Sequence, residues 1–315
     1  SRYYIGGDYF GYANLYKKMD NINFDNPYSQ FEFLYYTIIL VANKLGLGYF
    51  LTNFIFFLIL LFFLEKYLKK YPNPFFVLLI SIPILLIPIS INFMRQAIAI
   101  SIFLFSINYL IKKDYIKYIF YIFVASFFHK FALIYLVFYF VYEKNYKNML
   151  VYFASFLLII FLLFILIYFL QIPIFSVWIT KIIWTLNTYL DQTYPIMPKG
   201  VYFRLALMVL SFFILIYFKD FFKLKEEYKL WFTVGIISIF LIPLSVFYPF
   251  ATSRLIIFFV PITIFVLGHV ISQNRFNKIF NINLISLFLL IYFLVWINFS
   301  PFKSFFTPYE SIFFL

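Results

Sequence analysis

The motif Asn92-Phe93-Met94-Arg95-Gln96 sets one arginine and two carboxamides between apolar runs at 75–91 and 97–110, neither of which carries a charge. A guanidinium in such surroundings keeps its proton and needs an anion or a polar cavity. At helical spacing Asn92 shares a face with both Arg95 and Gln96. Two roles fit this pattern. One is a polar patch that seals helix ends. The other, which we expect, is a site where the arginine fork grips phosphate or carboxylate and the amides orient it.

Several other residues could do chemistry. His129-Lys130 interrupts an apolar stretch at 118–142. A histidine there either donates to a backbone carbonyl or, facing an arginine-lined cavity, binds phosphate or moves a proton. Gly6-Gly7-Asp8-Tyr9 suits a tight turn, yet Asp8 near arginines is also a candidate general base. Glu32 opens a short amphipathic stretch at 33–45 and reads as a partner of that helix's dipole. Arg204 and Arg254 stand at the mouths of apolar spans, where a long side chain snorkels easily. Together with Arg2 and Arg95 they make four forks suited to one anion. His269, near a helix end, is expected to be structural.

The elements that must position these groups are membrane helices. Of 315 residues 65% are hydrophobic and 12% charged, with a mean hydropathy of +0.96. Apolar stretches of about 16 to 22 residues give roughly 24 to 33 Å of helix, enough to cross a hydrocarbon core of about 30 Å. The 51 Phe and 29 Tyr rise together with Ile, Lys and Asn, which reads as compositional bias rather than as stacking platforms. The net charge of +13 reads as loop lysine plus a few special arginines, so no nucleic acid is expected as a partner. The absence of cysteine excludes disulfide and thiolate chemistry. Only two histidines are present and no metal motif, so neither a metal nor another cofactor is expected.

Candidate spans are 49–64, 75–91, 94–111, 149–170, 201–218, 230–247, 254–272 and 283–299. The 118–142 stretch is either one long helix or a hairpin that enters and leaves by one face. Loop charge favours the hairpin: it leaves 14 Lys/Arg on the cytoplasmic side and 10 outside, whereas one span would move eight of the 14 outward. The expected fold is therefore all-α, a polytopic bundle of about eight full spans plus a re-entrant hairpin. It forms one membrane domain over 1–315, with an outer polar segment and interfacial helix at 1–48 and an outer loop at 171–200. Because Ser1 opens a polar segment that looks like an interhelical loop, a further transmembrane helix is expected ahead of it.

Three segments resemble the EpsG family, membrane proteins of exopolysaccharide and capsule synthesis related to Wzy-type polymerases. They are Arg2 with Ile5-Gly6-Gly7-Asp8-Tyr9 and Tyr12, Asn92-Phe93-Met94-Arg95-Gln96-Ala97-Ile98-Ala99, and Ala125-Ser126-Phe127-Phe128-His129-Lys130-Phe131-Ala132. Phe131 departs from the family, which often has a small hydroxyl residue there. The resemblance implies a GT-C-like or Wzy-like bundle in the bacterial cytoplasmic membrane, with its active site facing outward. It implies an enzyme that polymerises undecaprenyl-pyrophosphate-linked oligosaccharide repeats into exopolysaccharide, capsule or O-antigen. On that reading Asp8, His129 and Arg95 are catalytic, and Arg2, Asn92, Gln96, Lys130, Arg204 and Arg254 bind pyrophosphate or sugar. The partners are the lipid-linked oligosaccharide, membrane lipid, a flippase and chain-length regulators. A flippase of the same lipid-linked sugar, or a membrane acyltransferase, is the alternative.

Overall fold

The computed structural model describes residues 9–18, 32–143, 200–270 and 278–299, and among these every regular element is helical. The expected span at 149–170, nearly all of the loop at 171–200, and residues Arg2 and Asp8 lie outside the described residues. Helix α1 (Tyr9–Lys18) packs on α2 (Phe33–Lys44), joined by the Asn43 side-chain amide, which donates to the Tyr16 carbonyl at 2.9 Å. At Gly46 φ is +66°, and the N–H groups of Gly46 and Leu47 satisfy the carbonyls of Asn43 and Ala42. This left-handed step ends α2 and suits a residue without Cβ. The chain then enters α3 (Gly48–Leu68), 21 residues long.

Proline decides the next segment. Pro74 opens α4 (Pro74–Ser81), but Pro83 and Pro88 each lack the N–H that a continuous helix needs. The chain passes through a π-helical turn, Ile82–Leu86, into the short α5 (Pro88–Asn92). The straight span expected over 75–91 is therefore interrupted. After a break at Phe93 the chain restarts as α6 (Met94–Ile111). Asp114 then caps α7 (Tyr115–Phe128) by accepting from the Lys117 backbone N–H. The Lys117 ammonium, hydrogen-bonded to Asp114, holds that carboxyl below the usual range.

At His129 the polypeptide reverses. It returns through a 3-10 stretch, Lys130–Leu136, and α8 (Val137–Glu143). The two arms run side by side: Tyr115 meets Tyr139 edge-on, with ring centroids 4.8 Å apart, and the Tyr118 hydroxyl donates to the Tyr135 carbonyl at 2.5 Å. Tyr135 stacks on Phe103 of α6 at 3.5 Å. The fold-back is thus built from aromatic contacts, without glycine or proline at its tip.

The remaining described helices are α9 (Gly200–Tyr217), α10 (Lys219–Phe222), α11 (Tyr228–Phe247), α12 (Pro249–Phe259), α13 (Pro261–Val270) and α14 (Lys278–Phe299). Four helices, α3, α6, α9 and α11, are individually long and apolar enough to cross a membrane, and α12 with α13 makes a fifth if counted as one span. The structure bears out a polytopic helical bundle with four or five such spans among the described residues, and the expected span at 149–170 lies outside them. The α12–α13 pair bends by 41°, because Pro261 removes a backbone bond where 254–272 was expected to be straight.

Helix α6 sits at the centre and is the most deeply buried of the four. Ala97, Ala99 and Ser101 let its neighbours α3 and α7 approach closely. Serine hydroxyls at 81, 101, 106, 211, 238 and 245 bond to carbonyls three or four residues back, which satisfies these donors within the apolar layer. Phe62, Phe213, Phe240 and Leu284 face outward, as a lipid-contacting surface requires.

At the end of the bundle away from Arg95, a network around a buried carboxylate joins α3, α11 and α13. Glu227 pairs with Lys70 and accepts from the Tyr67 hydroxyl at 3.1 Å and the Trp231 indole at 2.6 Å. Tyr67 and Tyr71 share a hydrogen bond at 2.8 Å, and the Tyr71 ring lies 4.7 Å from that of His269. His269 bonds through Nδ1 to the Phe265 carbonyl at 2.9 Å. Replacing Glu227 with Ala would remove the ion-pair partner of Lys70 and the acceptor of Tyr67 and Trp231, and should cost about 3 kcal/mol. A fall in the melting temperature of the purified protein checks this, and Glu227→Gln should lose less.

Candidate functional site

Arg95 is the second residue of α6, close to the positive end of that helix's dipole, where a cation is unfavourable unless answered. Three residues from other helices surround it. Glu32, immediately before α2, forms an ion pair with Nη1 of Arg95. The Arg95 Nε–H donates to the Tyr12 hydroxyl at 3.3 Å. The guanidinium also lies 5.3 Å from the centroid of the Tyr12 ring and 5.4 Å from that of Tyr35, within cation–π range. Tyr35 is held in turn by stacking on Phe56 of α3 at 4.6 Å. The pair is enclosed but not sealed: the Arg95 side chain keeps 28% of its surface exposed against 9% for Glu32.

The tip of the fold-back reaches the same region. His129 has extended backbone angles, φ −153° and ψ 116°, and its ring lies 5.5 Å from that of Phe258 on α12. The Tyr135 hydroxyl fixes the arm to the Phe258 carbonyl at 2.8 Å. Arg254 stands one turn earlier on α12, on the same face as Phe258. Its guanidinium covers Phe93 at 4.4 Å and Phe250 at 5.6 Å. Arg95, Lys130 and Arg254 all lie within electrostatic reach of His129, and Lys130 is within reach of both Glu32 and Arg95. Arg204, 8% exposed on α9, extends the series through Arg254 and has Tyr292 of α14 beside it.

The electrostatics of this region follow from a simple inventory. Four cations, Arg95, Lys130, Arg204 and Arg254, gather with one carboxylate, Glu32, among the described residues. Neither Arg204 nor Arg254 has a carboxylate within ion-pair distance among the described residues. The three arginines also lie in the first two turns of α6, α9 and α12, so the helix dipoles add to the positive potential. An anion is the ligand such a region favours.

The amides behave differently from one another. Asn92 is turned toward its own helix, its Nδ2 donating to the Pro88 carbonyl at 2.9 Å, which supports the proline-broken end of α5. Gln96 is buried, and its Oε1 has no hydrogen-bond partner among the described residues. The same is true of His129 Nδ1. Unpartnered buried polar atoms are costly, and His129 has Arg95, Lys130 and Arg254 within electrostatic reach. Glu32 departs from the dipole role expected of it: its carboxylate caps no α2 amide and is engaged by Arg95. Nothing in the spacing of residues 32 and 95 signals that contact. Tyr12 was visible only as part of a family-like segment, and Tyr35 and Tyr292 only as members of an aromatic-rich chain.

The fold and this region define a polytopic helical membrane protein with a partly buried cationic site at one end. The chain belongs to the EpsG family, whose sequence model matches residues 1–311. No curated protein and no solved structure matches it. Family membership and the helical membrane architecture together support a function of the polysaccharide-polymerase kind in broad terms.

If the cations act as one anion site, inorganic diphosphate should bind the purified protein and Arg254→Gln should weaken it about tenfold, some 1.4 kcal/mol. Calorimetric titration measures this, and an unchanged affinity would remove Arg254 from the site.

Proposed function

We propose that the protein is a polysaccharide polymerase that transfers a growing glycan from undecaprenyl diphosphate to a sugar hydroxyl of a second lipid-linked repeat. The observation that carries this reading is the excess of cations over carboxylate, among the described residues, at one end of an apolar bundle belonging to the EpsG family. In the proposed reaction the bond between the anomeric carbon and the diphosphate oxygen breaks, and negative charge grows on the departing diphosphate. Arg95, Lys130, Arg204 and Arg254 are fixed in place before that charge appears, so little reorganisation is needed when it does. Each well-placed donor of this kind is worth on the order of 3 kcal/mol in a water-poor site. Gln96 and His129, whose Oε1 and Nδ1 are buried without a hydrogen-bond partner among the described residues, would orient sugar or phosphate in this reading. Asn92 serves the site indirectly by holding the break that precedes Arg95.

A carrier of lipid-linked sugar would also need cations for the diphosphate. A carrier, however, must offer its ligand a path through the full depth of the bundle. At the opposite end the buried Glu227 is matched by Lys70, Tyr67 and Trp231, leaving no comparable excess of positive charge in that network. This favours chemistry at one end over passage.

Purified protein incubated with lipid-linked repeats should form polymer, and Arg95→Ala or Arg254→Ala should lower the rate about 100-fold or more while the protein stays monodisperse. Absence of polymer with the unaltered protein, coupled to movement of the lipid between leaflets, would instead identify a carrier. The proposed outward-facing site has its own test, since the chain has no cysteine. A cysteine at Lys44 should react with a membrane-impermeant thiol reagent in intact cells, and one at Lys112 only after permeabilisation. The reverse pattern would place the cationic end in the cytoplasm.

A further inference from the structure

Glu32 is an acid whose position its own helix does not explain. It stands immediately before α2, where an acid can answer the helix dipole, yet its carboxylate bonds to none of the first backbone amides. It is buried, 7% exposed, and its Oε2 is aimed at Arg95. Lys130 at the tip of the fold-back and Tyr35 and Tyr36 on α2 are its other electrostatic neighbours. A buried acid–base pair is a weak source of stability compared with apolar packing. In this pair, moreover, the arginine is the partly exposed member and the acid lies behind it.

We propose that Glu32 is the general base of the glycosyl transfer, paired with Arg95 until the donor diphosphate takes over that guanidinium. This rests on the polymerase reading above. Tyr12 engages Nε of Arg95 and Glu32 engages Nη1, so a phosphate oxygen arriving at the terminal nitrogens competes with Glu32 directly. The displaced carboxylate then has no guanidinium holding it and can engage the acceptor hydroxyl. The acceptor hydroxyl gives its proton to the Glu32 carboxylate while its oxygen forms the new bond to the anomeric carbon. The electron pair of the breaking carbon–oxygen bond leaves with the diphosphate. The proton on Glu32 passes to the departing diphosphate or to water, and Arg95 recovers its partner.

His129 is less suited to that role. A proton taken there would add positive charge to a region where Arg95, Lys130 and Arg254 already lie within reach. Glu32 starts negative, so taking a proton adds no new cation to the cluster.

Competition and catalysis together give an unusual kinetic signature. Using the full chain and lipid-linked repeats, Glu32→Gln should lower kcat about 100-fold or more, the usual scale for a lost general base. Its KM for the donor should stay the same or fall, and undecaprenyl diphosphate should bind the variant at least as tightly, because the internal competitor has gone. Glu32→Asp, which keeps the charge, should recover part of kcat. A raised KM with kcat preserved would show that Glu32 merely positions Arg95 and would overturn the proposal, as would near-normal turnover by Glu32→Gln. If Glu32→Gln fails to fold, Glu32→Asp decides: at least a tenfold loss of kcat at constant KM supports the base role, and any other split overturns it. Should the unaltered protein make no polymer, the polymerase reading fails and takes this proposal with it. Polymer from both the unaltered protein and Glu32→Gln at similar rates sinks the Glu32 role alone.

Discussion

Positive charge enclosed by apolar helices has to be answered locally, because water is not there to do it. The cationic end of this bundle is organised by that constraint. Arg95 is met by a carboxylate from the start of α2 and by two tyrosine rings from α1 and α2. Arg254 is laid over Phe93 and Phe250, while Arg204 has Tyr292 as its electrostatic neighbour. Aromatic faces temper a cation without neutralising it. Among the described residues the region therefore holds more cations than carboxylates, whereas the Glu227 network at the other end combines acid, base and hydroxyl donors in one internal set.

Helix interruptions position three of the cations, Arg95, Lys130 and Arg254. The backbone leaves helical geometry at Phe93, His129 and Tyr248. Arg95 and Lys130 follow the first two breaks almost immediately, and Arg254 lies in the second turn of the helix that follows the third. Each break exposes amide groups at the start of the next element, adding partial positive charge to the formal charges beside them. Proline and packing share the work of making the breaks. Pro88 and Pro249 open the helices that flank two of them. At His129 the turn is secured instead by Tyr118, Tyr135 and Phe103, which pin the returning arm against α6 and α7.

Much of the architecture was readable from hydropathy. The boundaries expected at 94–111, 201–218 and 230–247 agree closely with Met94–Ile111, Gly200–Tyr217 and Tyr228–Phe247, because a long uncharged run has few alternatives in an apolar solvent. Hydropathy was weaker where proline lay inside a run: 75–91 and 254–272 are apolar enough to suggest single spans, but their prolines interrupt or bend them. Loop charge favoured a fold-back over a single crossing at 118–142, and the arms meet through contacts between Tyr115 and Tyr139. For the candidate site, residue type was more legible than partnership. Arg95, His129, Lys130, Arg204 and Arg254 stood out because charged groups are rare in such surroundings. Asn92 stood out for the same reason, although its amide is spent on Pro88.

The sequence alone determined a helical membrane protein, its family likeness and a short list of polar residues, since each of these follows from composition or local spacing. Tertiary structure decided which groups face one another. Glu32 reads as a helix-end acid until tertiary packing brings its carboxylate against Arg95 at the start of α6. Contacts across 63 residues depend on how helices pack in three dimensions, and no local pattern records that.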